Sequence, residues 1–139
     1  MIEQIIYELK LHGLEDSEQI VSKRVGVSCK FEAMVTRWST LINNILKFDQ
    51  YSMYTVDEYE NDLDVRLLLA EVQFLLTSEG RDISNRILGP LDETFFKETI
   101  RLEKSIKRTI PEKYWIFYYH IPKRYNAFFM DHLRRLGIL

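Results

Sequence analysis

Residues 28–48 read SCKFEAMVTRWSTLINNILKF, and this stretch decides the fold. Its apolar residues recur at steps of three and four, the spacing that puts side chains on one face of an α-helix. Ser28 stands before the run, where its hydroxyl can accept a hydrogen bond from an amide of the first turn. The sequence therefore predicts a long amphipathic helix from Ser28 to Phe48, with a buried stripe of Phe31, Val35, Trp38, Leu41, Ile42, Ile45 and Phe48.

A second long helix is predicted to begin at Thr55. Residues 55–58 match the capping box, in which the Thr55 hydroxyl and the Glu58 carboxylate each satisfy an amide at the helix start. Its apolar stripe broadens after Leu67, which favours burial on most sides until Gly80. We expect Trp38 of the first long helix and Phe74 of the second to lie in the core.

Shorter helices are predicted at 2–13, 16–26, 82–88, 92–110 and 122–137. Gly89-Pro90 is expected to end the helix at 82–88, because proline lacks an amide and clashes inside a helix. Pro122 is expected to open the last one, since proline suits a first helical turn. Residues 115–121 suit a buried helix or a strand equally well, and we favour a helix because no second strand is visible.

Together these segments predict an all-α fold, a compact irregular bundle of six to seven helices in which residues 1–139 form a single domain. The composition is globular, with 46% hydrophobic and 29% charged residues. The lone cysteine, Cys29, excludes an internal disulfide, and no apolar run approaches the ~20 residues of a membrane span. We expect a cytoplasmic protein with no membrane contact.

Sequence motifs for catalysis are missing from the chain. It contains no Gly-Lys-Ser/Thr phosphate loop, no Gly-x-Ser-x-Gly elbow and no pair of histidines at metal spacing. Three histidines and one cysteine also lack the spacing of a zinc site. We therefore predict that the protein is not an enzyme and has no catalytic residues, metal or cofactor.

An acidic stretch beside aromatic residues is the first candidate site. On a helix, Asp57, Glu60 and Asp64 share one face, and aromatic side chains of the kind that anchor interfaces precede them. A solvated first turn is the alternative, since the helix dipole stabilises each nearby acid by ~0.3–1 kcal/mol. We interpret the stretch as a docking surface for a protein partner with a basic surface, formed by Tyr51, Tyr54, Asp57, Glu58, Glu60, Asp62 and Asp64.

A nucleic-acid interface is the alternative candidate. Residues 17–28 resemble the first half of a helix-turn-helix, with Gly26 at the turn. Glu32 departs from that pattern, because it occupies a position that is normally apolar, and it opposes DNA electrostatically. Residues 99–139 carry nine Lys/Arg against three Asp/Glu, interleaved with aromatics. The candidate nucleic-acid contacts are Ser28, Lys30, Arg37, Lys123 and Arg124.

These observations lead to two functional hypotheses. The first is a non-enzymatic protein-protein interaction module, a small antagonist or immunity-type inhibitor that binds and neutralises its partner through the acidic aromatic surface. The alternative is a helix-turn-helix-like DNA-binding regulator. An enzyme ranks third, and its signature would be a polar cleft holding a histidine with a perturbed pKa.

Overall fold

The computed structural model describes residues 2–12, 31–47, 54–107 and 112–139, without the side chains of 112–115. This part of the chain is mostly helical, which confirms the predicted class, but it has five α-helices and one small sheet rather than six to seven helices. The predicted helix at 16–26 lies outside the described residues. In chain order the elements are α1 (Ile2–Leu11), α2 (Phe31–Leu46), α3 (Val56–Leu75), α4 (Ser78–Lys97), β1 (Thr99–Arg101), a 3₁₀ helix (Glu112–Tyr119), β2 (His120–Pro122) and α5 (Ala127–Arg135).

The two long predicted helices, α2 and α3, pack against each other at the centre. On α2 the predicted stripe is buried, with Val35 only half-buried and Phe48 outside the described residues. On α3 the Thr55 hydroxyl accepts a hydrogen bond from the Glu58 amide at 3.1 Å, which confirms the predicted start. The helix is buried on all sides over 63–69 and ends at Leu75, five residues before the predicted Gly80.

The predicted helix stop at Gly89-Pro90 is wrong, because α4 runs unbroken through Pro90. Pro90 is exposed, so its ring points away from the core. An interior proline costs about 3 kcal/mol, whereas burying one large apolar side chain contributes about 1.5–3 kcal/mol. Leu88 before the proline and Phe95 after it are both buried in the same core, so packing on both sides offsets the cost.

A two-stranded sheet replaces parts of two predicted helices. The segment predicted as helical over 92–110 leaves the helix at Lys97 and forms β1, which pairs antiparallel with β2 so that Ile100 faces Ile121. The helix favoured for 115–121 is therefore a 3₁₀ helix followed by a strand. Pro122 belongs to that strand and does not open α5, which begins after Asn126, whose side chain accepts from the Phe129 amide at 2.8 Å.

Helix α1 attaches to the start of α4 through a buried carboxylate. Glu8 accepts hydrogen bonds from the Thr77 amide at 2.5 Å and from the Gln4 side chain at 2.9 Å. It occupies the space beside Gly80, where a Cβ atom would overlap Oε2 and lie 2.7 Å from Oε1 of Glu8. A negative charge at a helix N-terminus is favourable, so Glu8 ties the two helices together.

Trp38 is fully buried, as predicted, but the prediction for Phe74 is wrong because its side chain is 60% exposed. The buried Val72 lies on the opposite side of the last turns of α3, so Phe74 points outward. Among the described residues, no helix is both long enough and apolar enough to span a membrane.

The contrast between these two side chains is testable. Trp38→Ala should lower the free energy of unfolding by about 3–5 kcal/mol, because it leaves a cavity in the core. Phe74→Ala should lower it by less than about 1 kcal/mol, since its side chain is already mostly in water. Urea denaturation followed by circular dichroism measures both; equal losses would contradict the burial difference.

Candidate functional site

The predicted acidic surface lies in the first half of α3, and its members differ in exposure. Asp57 and Glu58, in the first turn, are exposed. Glu60 and Asp62 are half-buried, and Asp64 is buried. The stretch is therefore divided between carboxylates that face solvent and carboxylates that face the interior.

Asp64 is bound by two residues of the C-terminal region. The Lys107 ammonium donates to its two oxygens at 2.8 and 2.9 Å, and the Tyr118 hydroxyl donates to Oδ1 at 2.5 Å. Lys107 also lies 3.7 Å from Glu60. The acidic helix and the basic C-terminal region thus partly neutralise each other within the fold.

Glu60, Asp64, Lys107 and Tyr118 form a cluster in which burial shifts the pKa values of Glu60 and Tyr118. Burial raises the pKa of Glu60, and the nearby Lys107 only partly opposes this effect. Burial, together with hydrogen bonding to Asp64, raises the pKa of Tyr118, so its hydroxyl remains a proton donor. The cluster holds the segment around Lys107 and the 3₁₀ helix against α3.

Asp62 also has internal partners. The Tyr54 hydroxyl donates a hydrogen bond to it, and the charge of Arg37 on α2 acts on it. Burial raises the pKa of Asp62, while Tyr54 and Arg37 oppose the rise. Tyr54 and Arg37, predicted for two different binding sites, therefore act on one carboxylate. Tyr51 lies outside the described residues.

An open pocket of about 200 Å³ lies at the start of α3. One wall is the start of α3, namely Tyr54, Thr55 and Val56, directly before Asp57. The opposite wall belongs to the first residues and one stripe of α5. Its members are Asn126, Phe128, His132 and Arg135.

Phe128 gives this pocket an exposed apolar edge. Residues 128, 132 and 135 follow helical steps of four and three, so they form one stripe of α5. The sequence predicts Phe128 and Phe129 together on the apolar stripe of the last helix, but only Phe129 is buried and Phe128 is 75% exposed. We call Tyr54, Asp57, Glu58, Phe128 and Arg135 the α3–α5 face.

Among the described residues, the structure does not bring the predicted nucleic-acid contacts together in one site. Ser28 and Lys30 lie outside the described residues, and Arg37 lies on α2 near Asp62. Lys123 and Arg124 are exposed and directly follow β2.

His120 is the histidine with a perturbed pKa. Burial lowers this pKa, and the positive charge of Arg101 lowers it further. Its Nδ1 lies 3.2 Å from the Thr99 hydroxyl, and the rings of Phe95 and Phe96 pack against its imidazole. His120 does not line the pocket beside Phe128, nor the pockets beside Phe74 and Ile106. Its surroundings are those of a packed core histidine, and the strand pairing that creates them has no local sequence signal.

An ion pair between the buried Arg66 and the half-buried Asp92 joins α3 and α4, and no sequence pattern predicted it. Arg66 donates to both oxygens of Asp92 at 2.9 Å, and the Trp38 indole donates to Asp92 Oδ1 at 2.9 Å. The Phe117 ring lies 4.9 Å from the Arg66 guanidinium, a cation–π contact. The sequence predicts a helix that starts at Asp92, with this residue as its cap, but Asp92 is an interior residue of α4.

Within the described ranges, no group of three His, Cys, Asp or Glu side chains is arranged to hold a metal ion. Comparison with protein-family models, with curated proteins and with solved structures finds no match.

The free energy of unfolding of two variants tests whether the acidic stretch is divided between interior and solvent-facing carboxylates. Asp64→Ala should cost about 3 kcal/mol, because it leaves Lys107 and the Tyr118 hydroxyl without their shared acceptor. Asp57→Ala, on the same helix, should change stability by less than about 1 kcal/mol, since its side chain is exposed and the helix-dipole term is small. Chemical denaturation at neutral pH compares the two, and a cost at Asp57 as large as that at Asp64 would refute the division.

The titration of His120 provides a second test. NMR should give its imidazole a pKa below the ordinary value of about 6.5. Because the folded pKa is lowered, the histidine's contribution to stability is present above about pH 6.5 and is lost as the pH falls through the folded pKa. Arg101→Gln should raise the His120 pKa without restoring the ordinary value, since burial is the larger cause. An unchanged pKa would exclude the influence of Arg101.

Proposed function

We propose that the protein is a non-enzymatic interaction module, an antagonist that binds a protein partner through the α3–α5 face. The observation that carries this proposal is the 75% exposure of Phe128 at the edge of a pocket. When a partner covers a large aromatic side chain in that position, the removal of its apolar surface from water stabilises the complex.

The geometry of the face supports a protein as the occupant. The pocket is lined by the exposed Phe128 and by Arg135, and the exposed acids Asp57 and Glu58 follow its Val56 along α3. An apolar contact with charged groups nearby is the arrangement found in protein interfaces. An apolar side chain of the partner fits the pocket of about 200 Å³. Hot-spot residues cluster in such desolvated pockets near the interface centre.

Two of the three charges on the α3–α5 face, those of Asp57 and Glu58, are negative and favour a partner with a basic surface; the third belongs to Arg135. Asp57 and Glu58 are exposed and form no ion pair with any other described residue. Glu60, Asp62 and Asp64, by contrast, have internal partners or nearby cations. The proposed contact set is therefore narrower than the sequence-based one, with Asp57 and Glu58 supplying the charge and Tyr54 and Phe128 the apolar contact.

Affinity capture with matched variants tests this proposal. Tagged wild-type protein, Phe128→Ser and the pair Asp57→Lys/Glu58→Lys would be incubated with lysate of the source cells, and bound proteins quantified by mass spectrometry. We expect a protein captured by the wild type and lost with both variants. Its Kd, measured with the purified partner by calorimetry, should weaken by at least about tenfold for Phe128→Ser.

The matched control is Glu32→Lys/Glu79→Lys, which makes the same charge change in the first turns of α2 and α4. This control should retain the partner, and all variants should keep the wild-type circular dichroism spectrum. Capture that is indifferent to the α3–α5 face, or that is lost equally in the control, would overturn the proposal.

A further inference from the structure

A second pocket, of about 250 Å³, lies between the last turns of α3 and the first turns of α4. Its lining residues are Ala70, Gln73 and Phe74 of α3 and Arg81 and Asn85 of α4. Residues three or four apart share one face of a helix, so facing stripes of the two helices form this α3–α4 pocket. The pocket of the α3–α5 face begins at Val56, about 25 Å away along α3 at 1.5 Å per residue.

Hydrogen bonds between the two helices hold the polar side chains of the α3–α4 pocket. Nε2 of Gln73 donates to Oδ1 of Asn85 at 2.9 Å and to the Ser84 hydroxyl at 2.8 Å. Nε of Arg81 donates to the Gln73 carbonyl at 3.2 Å. Side chains held in this way lose less conformational entropy when a ligand binds to them.

The remaining polar groups of this pocket are mostly hydrogen-bond donors. A guanidinium has five N–H groups, so Arg81 keeps four after its bond to the Gln73 carbonyl. Asn85 accepts through Oδ1, which leaves the two N–H groups of its Nδ2. Arg81 is the one charged residue of the lining set, and it forms no ion pair with a carboxylate of the described residues. Donors around a single positive charge suit a monoanion.

The ring of Phe74 adds an apolar wall to the pocket. This side chain is 60% exposed, and it lines the same pocket as Arg81. An apolar group can cover the ring while a carboxylate attached to it accepts two parallel hydrogen bonds from the guanidinium. The volume lies below the ~300–1,000 Å³ of pockets that hold drug-sized ligands, so a ligand with one ring or one short chain fits.

We propose that the α3–α4 pocket binds a small organic carboxylate, whose apolar body packs on Phe74 and whose carboxylate is bound by Arg81 and Asn85. Inorganic phosphate would leave the ring uncovered, and its dianion exceeds the single positive charge of the lining residues. A neutral aromatic molecule would cover the ring but leave the guanidinium without an anion. This binding is independent of the α3–α5 face.

An NMR titration of the ¹⁵N-labelled protein with 3-phenylpropionate tests the proposal. Salt at about 150 mM screens attraction between distant charges. We expect saturable shifts of the Arg81 Nε–H and Asn85 side-chain resonances, with a Kd on the order of 1–10 mM, because so small a ligand makes few contacts. 3-Phenylpropionamide has the same ring and chain without the charge, and it should bind at least about tenfold more weakly.

Variants of the lining residues assign the contacts. Arg81→Gln should raise the Kd about tenfold, because it removes a charge-assisted pair of hydrogen bonds. Arg81→Lys should recover only part of that loss, since an ammonium keeps the charge but lacks the planar fork. Phe74→Ala should raise the Kd about three- to tenfold through the loss of the aromatic contact.

Two further variants serve as controls. Arg86→Gln removes an exposed cation of α4 that is not among the lining residues, and Phe128→Ser alters the α3–α5 face. Both should bind the acid with the wild-type Kd, so either proposal can fail alone, and all variants should keep the wild-type circular dichroism spectrum. The proposal would be overturned by the absence of a saturable shift, by equal affinity for the amide, by tighter binding of inorganic phosphate, or by equal losses in Arg86→Gln and Arg81→Gln.

Discussion

The carboxylate of Asp92 connects three helices, and the rest of the structure depends on it. It lies on α4 and receives the indole of Trp38 from α2 and the guanidinium of Arg66 from α3. A buried charge without partners is expensive, so each of these side chains requires the other two. Trp38 in turn packs against Phe95 and Phe117, so the core forms around this polar centre, in which Nη1 of Arg66 is buried without a hydrogen-bond partner among the described residues.

Internal pairing also involves the acidic stretch of α3, because Glu60, Asp62 and Asp64 contact other side chains of the protein. Lys107 and Tyr118 hold Asp64 at the boundary between α3 and the C-terminal region. Charge that the sequence separates into an acidic half and a basic half is thus partly cancelled in three dimensions. Asp57 and Glu58 remain exposed and have no ion-pair partner among the described residues.

The sequence predicts features that depend on near neighbours. The amphipathic stripe of α2 repeats every three or four residues, and the Thr55 cap of α3 contacts the amide three residues later. Both lie where the sequence predicts them. The pairing of β1 with β2 joins segments about 20 residues apart, and a three-residue strand has no periodicity to reveal it. The candidate site follows the same division: the first-turn acids are visible in the sequence, whereas the pocket beside Phe128 requires the packing of α5 on α3.

The contact of Glu8 with Gly80 couples the residue types that these two distant positions can hold. Any side chain at position 80 would displace the carboxylate that accepts the Thr77 amide, and a shorter residue at position 8 would leave that amide without it. A side chain at position 80 therefore requires the flexible end of Glu8 to move away from the Thr77 amide. Variation along α1 is constrained by the first turn of α4, although 69 residues separate Glu8 from Thr77.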